Sequence, residues 1–199
     1  MKTGTACLVV CGLVLALFAG LLWHRRHPKP VIHQEEPAAP PQTPTRTAPE
    51  RFPPGTHMPN CPETKASGSI DLDSFSPARD LVRVDNPGIW WESDHDGEND
   101  EDDHLMHRGV QPLLNQLEKA VASCGAALKV HDASRPSGGG HCATSLHKEG
   151  RALDLTADGL TLEDLAKLCW VAGFDWVFNE NKRGAEHVHC SSRASERSQ

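Results

Sequence analysis

The sequence has no excess of basic charge: 20 lysines and arginines stand against 27 acidic residues, for a formal net charge of −7. A nucleic-acid-binding surface needs a basic face to meet phosphates, so nucleic acid is not an expected partner. No internal repeat is visible, and none of the seven cysteines falls in a C-x-x-C zinc pattern. At 199 residues the chain is too short for a large multidomain machine, because one core takes about 100–150 residues. A hydrophobic content of 38% suffices for one such core. Its apolar, proline and acidic residues are unevenly placed, so the chain divides into segments.

No charge interrupts residues 3–23, and 6–23 are almost wholly apolar. A helix needs about 17–25 apolar residues to span a bilayer, whereas a signal peptide has about 7–15 followed by a small-residue cleavage site. No Ala-x-Ala site stands near the end of this run. Residues 1–27 are therefore expected to form a membrane anchor, with a signal peptide as the alternative. Lys2 on one side and Arg25, Arg26 and Lys29 on the other leave its orientation undecided. Residues 28–69 read as a proline-rich disordered linker. Eleven of the fifteen prolines lie between 28 and 62 with almost no periodic apolar residues, which leaves nothing to bury. In polyproline II such a stalk extends about 3.1 Å per residue.

Residues 70–192 alternate helix and strand signals, and 193–199 form a short tail. Val110, Leu113, Leu114, Leu117 and Val121 recur at three- and four-residue steps ahead of Gly125, which predicts a helix over 110–124. Thr161, with Asp164 three residues on and Gly173 as a stop, predicts a second over 162–172. Strands are expected at 127–132, 152–156, 174–178 and 187–190. Helices interrupting a few short strands imply an α+β fold, a small antiparallel sheet with flanking helices.

The stretch from Glu92 to Asp103 holds eight acidic residues in twelve. It reads as a solvated loop, with a calcium site as the alternative. The chemistry-bearing segment is Ser145-Leu-His147-Lys-Glu-Gly150-Arg-Ala152-Leu-Asp154, followed by Glu186-His187-Val-His189. Strand alternation puts Ala152, Asp154 and Thr156 on one face, and His187 and His189 on one face of another strand. If those strands pair, His147, Asp154 and His189 supply two imidazoles and a carboxylate, a donor set suited to zinc with one position left for water. The bland reading is surface polarity or core hydrogen bonding, and twelve histidines in the chain favour coincidence.

These residues resemble the hedgehog and D-alanyl-D-alanine peptidase fold group. SLHKEGRALDL is similar to the S-x-H-x-x-G-x-A-x-D signature of both branches, whose histidine and aspartate bind zinc. AGFDWVFNENKRGAEHVHCS and HLMHRGVQPLLNQLEKAV resemble hedgehog signalling domains. The resemblance implies the hedgehog/DD-peptidase fold and zinc on His147, Asp154 and His189. VHDASRP resembles the D-x-x-R-P element of the dipeptidases, which implies that Arg135 steadies charge on a scissile carbonyl. It also places a non-acidic residue where hedgehog domains have calcium ligands, leaving at most a partial Ca2+ site on Asp132 and the acidic run. Glu186-His187-Val188-His189 fits the peptidases' E-x-x-H spacing, with Glu186 as general base; the hedgehog position for that glutamate is Glu180. His141 and His187 match hedgehog histidines beside the metal.

On this resemblance the expected function is a membrane-anchored zinc metallopeptidase, facing the periplasm or extracellular space, that hydrolyses D-alanine-containing peptides of peptidoglycan or its precursors. A zinc-activated water would attack, Glu186 would take its proton and Arg135 would stabilise the oxyanion. The alternative is a non-catalytic hedgehog-like zinc module that recognises a protein or cell-wall partner. Five cysteines lie outside the apolar run, an odd number that leaves at least one unpaired and does not settle the compartment.

Overall fold

The computed structural model describes residues 46–92, 103–136, 142–182 and 185–194. The expected anchor, the first part of the expected linker, nearly all of the acidic run, His141 and most of the tail lie outside them. Among the described residues no helix is long and apolar enough to cross a membrane.

In chain order the elements are β1 (His57–Met58), the single-turn helices α1 (Glu63–Ala66) and α2 (Pro77–Asp80), and the short strands β2 (Leu81–Arg83), β3 (Ile89–Trp91) and β4 (Leu105–His107). Helix α3 (Gln111–Ser123), β5 (Ala127–Asp132), a 3-10 turn (Leu146–Glu149), β6 (Ala152–Asp158), α4 (Leu162–Ala172), β7 (Trp176–Lys182) and β8 (Ala185–Ser191) follow. Both expected helices form where their apolar stripes lie. Leu113, Leu114, Leu117 and Val121 of α3 are buried, as are Leu165, Ala166, Cys169 and Ala172 of α4. The Thr161 hydroxyl accepts from the Asp164 amide at 3.1 Å, and Gly173 ends α4 with φ 103°.

The main sheet has the order β1-β7-β8-β6-β5-β3, and β2 pairs with β4 in a separate ribbon. The expected antiparallel sheet is corrected in one respect, because β3 runs parallel to β5 at one edge. The chain leaves β3 and returns through α3, so it enters β5 in the same direction. Along the central strands Leu153, Leu155, Val177, Val188 and Cys190 join the two helices in the core. The intervening residues, Asp154, Phe178, Glu180, His187 and His189, fall on the other face of the sheet.

The expected linker is also corrected at its C-terminal end. Phe52 is fully buried in the core, and the Asn179 side-chain amide donates to its carbonyl at 2.8 Å. β1 pairs with β7, and the Trp176 indole donates to the Cys61 carbonyl at 2.9 Å. Composition misses this segment because it docks largely through backbone groups, which every residue carries.

Gly150 closes the 3-10 turn in the left-handed region, at φ 64°. A Cβ there would lie 2.9 Å from the His107 amide nitrogen and 3.1 Å from the Met106 Cα, backbone atoms that cannot step aside. Gly150→Ala is therefore expected to cost about 2 kcal/mol or more, read as a lower midpoint of urea unfolding.

Candidate metal centre

The register of β6 against β8 sets Asp154 opposite His189, and β8 against β7 sets His187 opposite Glu180. His147 enters from the 3-10 turn, whose Ser145 hydroxyl accepts from the His147 amide. His147 Nε2, Asp154 Oδ1 and His189 Nδ1 converge, with separations of 3.4 Å from His147 to each partner and 2.8 Å between His189 and Asp154. Zinc bonds of 2.0–2.1 Å at tetrahedral angles separate donors by about 3.3 Å, so this set fits the ion. Carboxylate and imidazole donors suit zinc chemically as well.

Hydrogen bonds on the far side of each ring fix which nitrogen faces the centre. His147 Nδ1 donates to the Ala133 carbonyl at 2.9 Å, leaving Nε2 as the donor atom to a metal. His189 Nε2 donates to Glu63 Oε1 at 2.8 Å, leaving Nδ1. The His147 side chain is wholly buried and Asp154 nearly so. Burial alone would raise the Asp154 pKa, but the imidazoles of His147, His187 and His189 outweigh it and hold the carboxyl well below its usual range. Burial alone would lower the His189 pKa; hydrogen bonds to Asp154 and Glu63 instead raise it to about 10. Burial likewise works against the Glu63 carboxylate, yet contact with His189 lowers its pKa. A metal entering this centre competes with the proton on His189.

Glu63 is the residue that sequence reasoning missed. It sits on α1, inside the stretch assigned to the linker. Pro62 followed by an acidic residue is a helix-start signal, but nothing in the sequence ties it to a histidine 126 residues away. Its carboxylate orients the His189 ring as an outer partner of the ligand.

The other expected residues fall differently. His187 Nε2 lies 3.4 Å from Asp154 Oδ1 and 3.4 Å from Glu180 Oε2, so both His187 and Glu180 border the cluster. Glu186 does not join it. β8 is a regular strand there, so Glu186 takes the parity opposite to His187 and His189, and it is exposed. Arg135 is buried against Asp132, with Asp103 Oδ1 3.8 Å away, so two carboxylates share its guanidinium. The cationic side chain stands where the partial calcium site was expected; the rest of that expectation, residues 93–102, lies outside the described residues.

Comparison with known proteins bears on the chemistry. A family model of the hedgehog amino-terminal signalling domain matches residues 40–191. Among curated proteins the chain is similar to Tiggy-winkle hedgehog protein of Danio rerio, 36% identical over 135 residues, which cover 65% of this chain and 30% of the relative. It is 36% identical to Sonic hedgehog protein of Danio rerio over 58% of this chain and 27% of the relative. Indian hedgehog protein of Gallus gallus is 35% identical over 68% of this chain and 34% of the relative. The chain thus spans about a third of the length of these curated relatives. The expectation of a zinc peptidase is overturned by this match to a signalling domain, and nothing in it supports the D-alanyl-D-alanine peptidase branch or a peptidoglycan substrate. The exposed Glu186 and the paired Arg135 give a physical counterpart to that correction.

His147→Ala or Asp154→Asn is expected to lower zinc affinity about 100-fold or more, and Glu63→Gln about 10- to 100-fold, in competition titrations against a chromophoric chelator. Glu186→Gln is expected to leave zinc affinity unchanged.

Proposed function

Because the chain belongs to the hedgehog amino-terminal signalling domain family, we propose that it is a non-catalytic recognition module that binds a protein partner through the metal-bearing face of its sheet. The observation that carries this reading is the convergence of His147 Nε2, Asp154 Oδ1 and His189 Nδ1, with each imidazole oriented from behind. Such a centre ties the 3-10 turn, β6, β8 and α1 together at one place. Zinc held there supplies charge and a coordination position on an otherwise protein-built surface. His147 and His189 present fixed nitrogens, Asp154 supplies the negative charge, and Glu63 keeps the His189 ring in one tautomer. Glu180 and His187 edge the centre, an acceptor and a donor within reach of a partner's side chain.

Beside the centre, the His57, Trp176 and Phe178 rings lie together, and Trp176 also meets His189 edge-on with centroids 5.8 Å apart. Aromatic rings beside a few polar groups are the composition that protein interfaces favour at their centres. An extracellular setting belongs to this proposal, as does tethering by residues 1–27; what supports the tether is the uncharged apolar run over 3–23.

The test is binding of the zinc-loaded chain to the ectodomains of hedgehog receptors by biolayer interferometry. Removing zinc with a chelator, or introducing His147→Ala, is expected to weaken binding tenfold or more while circular dichroism shows a retained fold. Binding indifferent to both treatments would overturn the reading.

A further inference from the structure

Residues 46–62, expected as linker, run as a strap along the edge of the sheet and lead into α1, which carries Glu63. The upstream part of the strap is held to α4 and to the start of β7. The Arg46 guanidinium lies 4.3 Å from the centre of the Trp170 ring and 3.6 Å from Asp175 Oδ1. The Phe52 amide donates to Glu163 Oε1 at 3.1 Å, and the Phe52 ring is buried in the core. Next, the Gly55 amide donates to the Asn179 carbonyl at 2.7 Å, and the Asn179 amide to the Thr56 carbonyl at 3.0 Å. β1 then pairs with β7, and the Trp176 indole donates to the Cys61 carbonyl at the end of the strap.

Glu63 follows that carbonyl after Pro62 and is the first residue of α1. A helix of four residues cannot hold itself in water, because its one turn fixes many dihedrals for few hydrogen bonds, so its neighbours must place it. No side chain caps its N-terminus either. The C-terminal end of α1 is tied separately. Arg193 donates to the Lys65 and Ala66 carbonyls at 3.1 and 2.6 Å, and the Ser67 and Ser191 hydroxyls meet at 2.8 Å. Those ties act downstream of Glu63. The strap fixes the upstream end, where the carboxylate meets His189 Nε2 at 2.8 Å. Docking of the strap and the aim of that carboxylate are therefore coupled through the chain itself. Phe52 is the buried side chain of the strap, and its apolar burial is the largest single contribution to docking.

We propose that Phe52 is a positioning residue of the metal centre: docking of residues 46–62 raises the affinity of the centre for zinc by holding Glu63 on His189. The proposal rests on zinc occupying the centre and not on a partner binding there. Linkage then requires zinc to favour the docked strap by the same factor. The first test is chelator competition on the full chain carrying Phe52→Ala, Glu63→Gln or both, with circular dichroism as the check on folding. Phe52→Ala is expected to weaken zinc binding about tenfold, and to weaken it by no more than about twofold further when Glu63→Gln is already present. An equal loss in both backgrounds would mean that Phe52 acts through general packing and would overturn the proposal. The second measurement leaves the strap unaltered, so it stands even where Phe52→Ala fails to fold. Saturating zinc is expected to slow hydrogen exchange at the Gly55 and Asn179 amides about tenfold more in the unsubstituted chain than in Glu63→Gln. Equal slowing in the two chains, or zinc affinity unmoved by Phe52→Ala, would overturn the proposal and leave the metal centre in place. Failure of the unsubstituted chain to bind zinc would overturn both.

Discussion

The registration of β6 against β8 is the constraint on which the rest of the molecule depends. It sets Leu153 and Leu155 into the same core as Val188 and Cys190, and by the same alternation sets Asp154 beside His189 on the opposite face. A slip of one residue would turn the leucines to the open face and carry the carboxylate into the core. Apolar burial thus enforces the geometry of the polar centre, since the two faces cannot be chosen independently. The helices α3 and α4 pack on the core face, while α1 and the 3-10 turn meet Asp154 and His189 on the other.

Charge is managed differently at three neighbouring places. At the metal centre an aspartate and a glutamate hydrogen-bond the His189 imidazole from two sides and raise its pKa. Beside it, Arg135 lies between Asp132 and Asp103, so that carboxylates buried near the sheet have a cation built into the chain. Behind it, the Arg151–Glu149 pair ties the 67–69 loop to the turn that carries His147. Buried charges of this kind are tolerated because each has a partner in place. In the same arrangement the Arg135 guanidinium, expected to stabilise an oxyanion, faces two carboxylates of its own chain.

Much of the architecture is written in local pattern. The stripe Leu113, Leu114, Leu117 and Val121, the Thr161 cap and the Gly173 stop each act within a few residues, and both helices form where those signals stand. Strands β5 to β8 carry alternation strong enough to read, which puts Asp154 on one face of its strand and His187 with His189 on one face of theirs; that these strands pair, and that His147 joins them from the 3-10 turn, is tertiary. The short strands β1 to β4 do not. Two or three residues hold no period, and they exist because a neighbouring edge offers backbone partners. The mixed sheet is the consequence, since the parallel edge strand β3 is one of these.

The choice between Glu186 and Glu180 shows where motif spacing gives out. E-x-x-H matches in number, yet a regular strand alternates its side chains, so Glu186 lies across the sheet from the histidines and Glu180 on the adjacent strand lies near them. The amino-acid order by itself determined which residues could be helix, strand and ligand, because propensity, capping and alternation are short-range. Only the tertiary structure decided that a glutamate from a proline-rich stretch backs His189, that Arg135 is matched by two acids, and that the Trp176 indole holds the Cys61 carbonyl. Apart from the local Arg135–Asp132 pair, those facts join residues tens to more than a hundred positions apart, and their contacts come from packing and backbone pairing that no local pattern encodes.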